Sequence, residues 1–185
     1  MNKPLKIVAV AGSLRKGSYN KQILQVVVDH LKSKNVDVNL VDLSTYSIPL
    51  FNQDLEASEG MPGEVKKLKQ AFTDANAIII ASPEYNASIT GVLKNAIDWI
   101  SRGVAKDESM YFSFMGKPAG IISASPGGLG GIRGLFHVRD ILTGLGCPVM
   151  PEQVCVKQAH EGMEPHKAAL TKFADNFCGF ANKLI

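Results

Sequence analysis

The sequence predicts an α/β fold in three layers, with helices covering both faces of a five-stranded parallel sheet. Strand-like and helix-like hydrophobic patterns alternate along the chain, which is typical of successive βαβ units. The segments 5–11, 77–81 and 119–124 are almost entirely apolar, as expected for strands that are buried on both faces. The 185 residues show no internal repeat and no linker, so we expect one domain spanning 1–185.

Five helices are predicted from apolar residues that recur every three or four positions. Their stripes are Leu24, Val27, Val28 and Leu31; Val65, Leu68, Phe72 and Ala75; Leu93, Ala96, Ile97 and Ile100; Leu135, Val138, Leu142 and Leu145; and Leu170, Phe173, Phe177, Phe180 and Leu184. Because each helix has a single apolar stripe to lay on the sheet, we interpret these side chains as core.

The strand order follows from which strands carry polar residues. Val36, Val38 and Leu40 alternate with polar residues, the pattern of a half-buried edge strand. The last strand, at 152–156, follows Pro151, and proline is tolerated at strand starts and sheet edges. Edges at strands two and five fit the flavodoxin-like order 2-1-3-4-5 and not the dinucleotide-binding order 3-2-1-4-5-6. The loops after strands one, three and four then meet at the carboxyl edge, where ligands bind.

The first of these loops, at 12–20, contains the donors expected of a phosphate site. A helix start offers unpaired backbone N–H groups, and short hydroxyl and amide side chains and an arginine add further donors. The candidates are Ser13, Arg15, Ser18, Tyr19 and Asn20. The pyrophosphate motif GxGxxG and the GxxxxGK[ST] motif are absent, which favours one terminal phosphate. An ordinary helix cap stays as the alternative, although a cap needs only one such residue.

The second loop, at 82–91, begins with a turn stiffened by proline. Its backbone N–H groups are suited to the polar edge of a planar heterocycle, and a tyrosine is placed to lie against the ring or its mouth. The candidates are Pro83, Glu84, Tyr85 and Asn86. Glu84 is the one carboxylate in the three loops. Capping of the next helix by Ser88 or Thr90 is compatible with this interpretation.

The third loop, at 125–131, is rich in glycine. Glycines allow the backbone to approach a flat ligand closely, although a glycine-rich turn alone is a weak signal. Its position at the same sheet edge as the other two loops supports a shared binding site.

With these motifs the chain resembles the NADPH-dependent FMN reductases, a flavodoxin-like group that includes bacterial soluble quinone and chromate reductases and azoreductase-like enzymes. The resemblance rests on GSLRKGSYN at 12–20, IPLFNQDLE at 48–56, SPEYNASITGVLKNAIDWISR at 82–102 and GGLGGIRGLFHVRDIL at 127–142. It implies non-covalent FMN, with phosphate contacts from the first loop and ring contacts from residues 83–86 and from the turn near Ser125 and Gly128. It also implies NADPH or NADH as donor and a homodimer or homotetramer.

The predicted reaction is hydride exchange. The nicotinamide donor and the acceptor occupy the same flavin face in turn, and we therefore expect ping-pong kinetics. The acceptors are quinones, flavin, azo compounds or chromate. No catalytic side chain is predicted, because hydride transfer to a bound flavin needs alignment more than proton transfer. No metal site is predicted either, because the four histidines lack ligand spacing. We interpret His137 as structural and Asp42 as a loop cap. The apolar stretch at 102–116 flanks either the acceptor site or a subunit contact.

Composition disfavours other classes of function. The net charge is +3 and the basic residues are scattered, with one small cluster, Lys66, Lys67 and Lys69, on a helix face that we expect to be exposed; nucleic acid is therefore not an expected partner. Neither a signal peptide nor an apolar run near the ~20 residues needed to cross a bilayer is visible. Three cysteines without CxxC spacing predict reduced thiols in a cytoplasmic protein without membrane association.

Three other functions are compatible with an α/β fold of this size, and the sequence disfavours each of them. A flavodoxin-type electron carrier shares the fold, but such carriers are commonly strongly charged. A dinucleotide-binding dehydrogenase is disfavoured by the missing glycine motif. A phosphorylated receiver domain is rejected, because the positions of its aspartates hold Ala11-Gly12-Ser13 and Ala81-Ser82.

Overall fold

The computed structural model describes residues 4–104 and 108–185 and contains a five-stranded parallel sheet of order β2-β1-β3-β4-β5. Its strands are β1 (Lys6–Ala11), β2 (Asp37–Asp42), β3 (Ala77–Ala81), β4 (Ala119–Ala124) and β5 (Val154–Val156). The helices are α1 (Tyr19–Ser33), α2 (Gln53–Glu59), α3 (Gly63–Asp74), α4 (Gly91–Ile100), α5 (Ile132–Gly144) and α6 (Lys167–Ala181). The predicted fold class and strand order are confirmed.

Alternate residues of the central strands point to opposite layers of helices. In β1, Ile7 and Ala9 join the core formed with α1 and α6, whereas Val8 and Val10 join the core formed with α3, α4 and α5. Most residues of the helix stripes identified from the sequence are buried in these cores, but Leu184, which was expected in the core, is 49% exposed. Strands β1, β3 and β4 are buried almost throughout, because helices cover both of their faces.

The edge strand β2 departs from the predicted alternation. Val38 and Val41 are buried, but Leu40 is 38% exposed. Leu40 lies beside a small cavity of about 130 Å³, whose wall on α1 includes Lys21 and Gln25. An incomplete covering of this edge by α1 therefore leaves Leu40 partly in water.

Two further expectations are wrong. Five helices were expected, but the described residues form six; α2 was missed because none of its residues is buried and it has no apolar stripe. Lys69 was expected to be exposed with its neighbours, but it is 4% exposed. It lies one turn after Val65, on the inner side of α3, where its ammonium group bonds the Ser113 hydroxyl at 3.0 Å and pairs with Glu108.

The stretch at 102–116 is attached to the core by a buried phenylalanine. Phe114 is fully buried in the core beside α3, α4 and α5, whereas Met110 and Phe112 are about half exposed. Positions 105–107 of this stretch lie outside the described residues. Within the described ranges, no helix is both long and apolar enough for a membrane span.

Candidate active site

The three loops meet in one open cleft at the carboxyl edge of β1, β3 and β4. The cleft has a volume of about 260 Å³. It is lined by Ser13, Arg15, Ser18, Tyr19, Asn20, Pro83, Glu84, Tyr85, Ala124, Ser125 and Pro126. All of the predicted candidates are therefore brought together except Asn86 and Gly128, which are exposed residues of the same loops.

The first loop is fixed against the start of α4 by Gly12. A Cβ atom at this position would lie 2.8 Å from Leu93 Cδ2, so only glycine fits without a shift. The Thr90 hydroxyl donates to the Gly12 carbonyl at 2.7 Å and accepts from Leu93 N–H at 3.3 Å. Thr90 is thus the N-cap of α4, as one of the two capping interpretations proposed.

The start of α1 keeps its donors free. Ser18 is the N-cap residue and is only 2% exposed, yet its hydroxyl makes no capping hydrogen bond, so an ordinary cap does not explain it. The first turn contains no acidic residue, and Arg15 lies beside it with its guanidinium carbon 5.1 Å from the centre of the Tyr19 ring. In the described part of the chain, the N–H groups of Tyr19 and Asn20 have no protein acceptor.

Asn20 is used differently from its neighbours. Its amide Nδ2 donates to the Ala124 carbonyl at 2.8 Å, and its Oδ1 accepts from the Ala124 N–H at 3.0 Å. Both bonds are buried. Asn20 therefore ties the start of α1 to the end of β4, and the bond pair aligns the first loop with the third.

The second loop contains a tight two-residue turn. Tyr85 and Ser88 exchange two backbone hydrogen bonds of 3.0 Å each, and both central residues, Asn86 and Ala87, have positive φ, at 51° and 63°. The ring of Tyr85 stands at the cleft rim, with the residue 56% exposed. Within the described residues, the N–H groups of Glu84, Asn86 and Ala87 have no protein acceptor, so they are available to a ligand.

The Glu84 side chain is held by the start of α5. Its Oε2 accepts from the backbone N–H groups of Arg133 and Gly134 at 3.0 and 3.2 Å, and its Oε1 accepts from Arg133 Nε at 2.7 Å and from Arg133 Nη2. Burial raises the pKa of Glu84, but the Arg133 cation and these N–H groups outweigh burial and bring the pKa below its usual value. Arg133 escaped prediction because nothing in the sequence links it to a residue 49 positions away.

The glycines of the third loop divide into two groups. A Cβ atom at Gly130 would lie 3.0 Å from the Cys155 backbone, and one at Gly131 would lie 1.9 Å from the Ser123 hydroxyl. These two glycines permit close contact between protein segments, so their lack of a side chain has a packing reason. Gly127 and Gly128 are exposed. A Cβ atom would meet open space at Gly128 and would make only an ordinary contact of 3.5 Å with Ser125 Oγ at Gly127, so the predicted ligand approach remains available there.

Asp42 and His137, which we interpret from the sequence as structural, both have protein partners. Asp42 accepts from the backbone N–H of Ser44 at 2.9 Å and pairs with Lys21, as expected of a loop cap. His137 Nδ1 is hydrogen bonded to the Ser88 hydroxyl at 2.7 Å. Among the described residues, no group of three or more histidine, cysteine, aspartate or glutamate side chains is placed to hold a metal ion.

The donor set of the cleft fits FMN. One end combines a helix N-terminus, a buried Ser18 hydroxyl without a capping bond and an arginine, which together suit a dianionic phosphate. The other end presents backbone donors from a rigid turn and an open glycine loop, which suit the polar edge of a flat ring.

Comparison with known proteins decides the family. The model of the NADPH-dependent FMN reductase family matches residues 5–161. The chain belongs to this family. It is 38% identical to an NAD(P)H-dependent FMN reductase of Pseudomonas aeruginosa over 89% of this chain and 84% of the relative. It is also 38% identical to a quinone reductase of Escherichia coli, over 81% of this chain and 76% of the relative.

A solved structure supports the same assignment. A flavoenzyme NAD(P)H:acceptor oxidoreductase from Paracoccus denitrificans superposes with a TM-score of 0.81 and 31% identity, covering 97% of this chain and 99% of that one. As a member of the family, this FMN reductase homologue is an NAD(P)H-dependent oxidoreductase with FMN as its cofactor. The resemblance identified from the sequence motifs is therefore confirmed.

Proposed function

We propose that the chain binds FMN in the cleft described above and uses it to reduce quinones with electrons from NADPH or NADH. The observation that carries the proposal is the meeting of the three loops in one cleft, whose lining includes Arg15, the start of α1 and Pro83–Tyr85. The first two would hold the phosphate, and the last would contact the ring. Flavin, azo compounds and chromate are further acceptors that an open flavin site would admit.

The FMN phosphate would lie at the start of α1. Ser13, Arg15 and Ser18 would bond its oxygens together with the free N–H groups of the first helical turn. Asn20 would contribute by holding this turn against β4, since its amide is occupied by Ala124.

The ring would lie between Pro83–Asn86 and the open end of the third loop, near Ser125 and Gly128. When bound, FMN supplies the redox chemistry by accepting a hydride from the nicotinamide and passing electrons to the acceptor. The free N–H groups of Asn86 and Ala87 would favour the negative charge that gathers at the polar edge of the ring on reduction.

The size of the cleft supports a shared reaction face. At about 260 Å³ it lies below the range of roughly 300–1,000 Å³ that is usual for small-molecule sites, so a ligand as large as FMN stays partly uncovered. A donor and a flat acceptor would then use the same uncovered face in turn, beside the exposed Tyr85 ring. This arrangement requires ping-pong kinetics.

The test begins with the purified protein. Heat or acid should release FMN and not FAD, as measured by chromatography, and the protein should oxidise NAD(P)H steadily when a quinone is added. Double-reciprocal plots at several quinone concentrations should give parallel lines. Release of FAD would contradict the single-phosphate site, and lines that intersect under all conditions would contradict the shared face.

A flavodoxin-type electron carrier is the alternative with the same fold. The steady NAD(P)H oxidation described above separates the two, because a carrier takes its electrons from a protein partner. Failure of the pure, FMN-loaded protein to oxidise either nucleotide would favour the carrier.

We also propose that the chain acts in the cytoplasm as a homodimer or homotetramer. Exposed apolar side chains support association: Leu50 is 81% exposed, and Phe112 and Met115 are more than half exposed. Light scattering coupled to gel filtration measures the assembly, and a monomer at micromolar concentration would contradict the proposal.

A further inference from the structure

Glu84 serves as the N-terminal cap of a helix that lies far from it in sequence. Helix α5 begins after Gly131, which is left-handed and has no side chain to cap the helix. The Glu84 carboxylate fills this role from 49 residues away, by accepting from the N–H groups of Arg133 and Gly134 and from the Arg133 guanidinium. The Glu84 side chain is only 8% exposed, so its charge is enclosed and fully partnered.

The same turn is attached to α5 at a second point. The Ser88 hydroxyl bonds His137 Nδ1 at 2.7 Å, one helical turn beyond Arg133. Gly134 lies between the two attachments, where a Cβ atom would be 3.2 Å from the Ser88 carbonyl oxygen and 3.3 Å from Glu84 Cβ. The first and last residues of the segment 84–88 are therefore both held against the first two turns of α5.

The segment between the attachments has a backbone that needs support. Asn86 tolerates the left-handed region, but Ala87, with φ of 63°, has no side-chain hydrogen bond to stabilise that conformation. A strained conformation of this kind persists where the surrounding structure holds it. Here the two attachments to α5 supply that support, and the turn they hold displays the free N–H groups of Asn86 and Ala87.

We propose that Glu84 is a positioning residue, which acts through Arg133 and the start of α5 to fix the Tyr85–Ser88 turn in the shape that receives the flavin ring. The inference rests on the proposed function, which puts FMN in this cleft. Arg133 has a second effect, because it neutralises the one carboxylate among the described residues that line the cleft. The negative charge that develops on the ring during reduction is then not opposed by Glu84.

Hydrogen–deuterium exchange of the apoprotein tests the attachment without any cofactor. In Glu84→Ala, the hydrogen-bonded amides of Tyr85 and Ser88 and those of residues 133–134 should exchange at least about tenfold faster, because the variant loses all of the hydrogen bonds that the Glu84 carboxylate accepts from α5. Glu84→Gln should be intermediate, because its carbonyl oxygen still accepts from α5. Glu64→Ala is the matched control, since it breaks an exposed ion pair with Lys67 on α3. Equal exchange of the turn in wild type and Glu84→Ala overturns the inference.

Ligand binding then tests the effect on the site. Glu84→Ala should bind FMN about tenfold more weakly and riboflavin by the same factor, because the contacts to the ring and not those to the phosphate are disturbed. Arg133→Gln, which leaves the carboxylate without its cation, should lower the midpoint potential of bound FMN. A potential equal to that of wild type would contradict the neutralising effect of Arg133.

The outcomes separate this inference from the proposed function. If wild type takes up no FMN, the proposed function fails, whereas exchange in the apoprotein still tests the attachment. If wild type binds FMN and Glu84→Ala keeps its affinities for FMN and riboflavin, the positioning role is overturned and the proposed function stands. If Glu84→Ala fails to fold, hydrogen–deuterium exchange and ligand binding are measured on Glu84→Gln and Arg133→Gln.

Discussion

Asn20 and Ala124 are 104 residues apart in sequence and are joined by a reciprocal pair of buried hydrogen bonds. The bonds link the first turn of α1 to the end of β4, and therefore hold the proposed phosphate end of the cleft in register with its third loop. A single amide thus ties together two of the three loops that form the site.

We expect Asn20→Ala to lower the free energy of unfolding of the apoprotein by about 1–3 kcal/mol, because the N–H and carbonyl of Ala124 lose their buried partners. Urea unfolding measures the change. Asn182→Ala, at the exposed end of α6, is the matched control and should leave stability nearly unchanged. Equal unfolding free energies for Asn20→Ala and wild type would show that the bond pair contributes nothing to stability.

Arg15→Ala should weaken FMN binding by about 1.5–3 kcal/mol, the scale of a charge-assisted hydrogen bond. Riboflavin lacks the phosphate and should bind the variant and wild type alike. Fluorescence titration of the apoprotein measures both affinities. Lys16→Ala is the control, because Lys16 is the neighbouring cation but does not line the cleft, and its loss should matter less. Equal FMN affinity in Arg15→Ala and wild type would place the phosphate elsewhere.

The strand order could be predicted from the sequence because burial on both faces leaves the interior strands almost entirely apolar. The all-apolar strands β1, β3 and β4 are interior, whereas β2, with its polar residues, and the short β5 are edges, and that contrast alone selects the strand order. The sequence was insufficient for α2, which buries none of its residues and so leaves no periodic signal.

The sequence predicted which residues line the candidate site better than it predicted their hydrogen-bond partners. Residues that follow strands β1, β3 and β4 must meet, so nine candidates line one cleft, as expected. Their partners depend on distant segments, which spacing does not encode. Asn20 bonds Ala124, Glu84 bonds Arg133, and Gly131 makes room for Ser123; each relationship exists only after the chain has folded.

The stability of the protein should depend on Lys117 at alkaline pH. Loss of hydration lowers the pKa of Lys117 from 10.5 to about 8, and its amine donates to the carbonyls of Phe72 and Thr73. Between pH 8 and 10.5 the unfolded chain therefore holds a proton at this residue that the folded protein lacks, so the contribution of Lys117 to the free energy of unfolding rises with pH.

Urea unfolding at pH 7, 8, 9 and 10, compared between wild type and Lys117→Met, isolates this contribution, because other titrating groups are common to both proteins. The difference in unfolding free energy should shift in favour of wild type as the pH rises. Lys183→Met, on an exposed residue near the end of the chain, should show no such trend. Parallel curves for wild type and Lys117→Met would contradict the lowered pKa.

The reduction of bound FMN by NADH should be nearly independent of pH between 6 and 8. The described residues that line the cleft include no histidine, cysteine or lysine, and their one carboxylate, Glu84, has a lowered pKa. Since a carboxyl group with a lowered pKa stays ionised throughout this range, Glu84 has no proton to donate. Hydride transfer depends on alignment at near-contact distance more than on proton transfer.

Stopped-flow bleaching of the flavin absorbance measures this step. The rate at saturating NADH should vary by less than about tenfold across the range, below the roughly 10²–10⁴-fold contribution of a general acid or base. His137→Gln and Cys147→Ser, each first shown to be loaded with FMN, should give equally flat profiles; His137 bonds Ser88 outside the cleft, and burial raises the pKa of the Cys147 thiol to about 12. A rate that changes a hundredfold with pH in wild type, and loses that change in His137→Gln, would identify His137 as a catalytic proton donor.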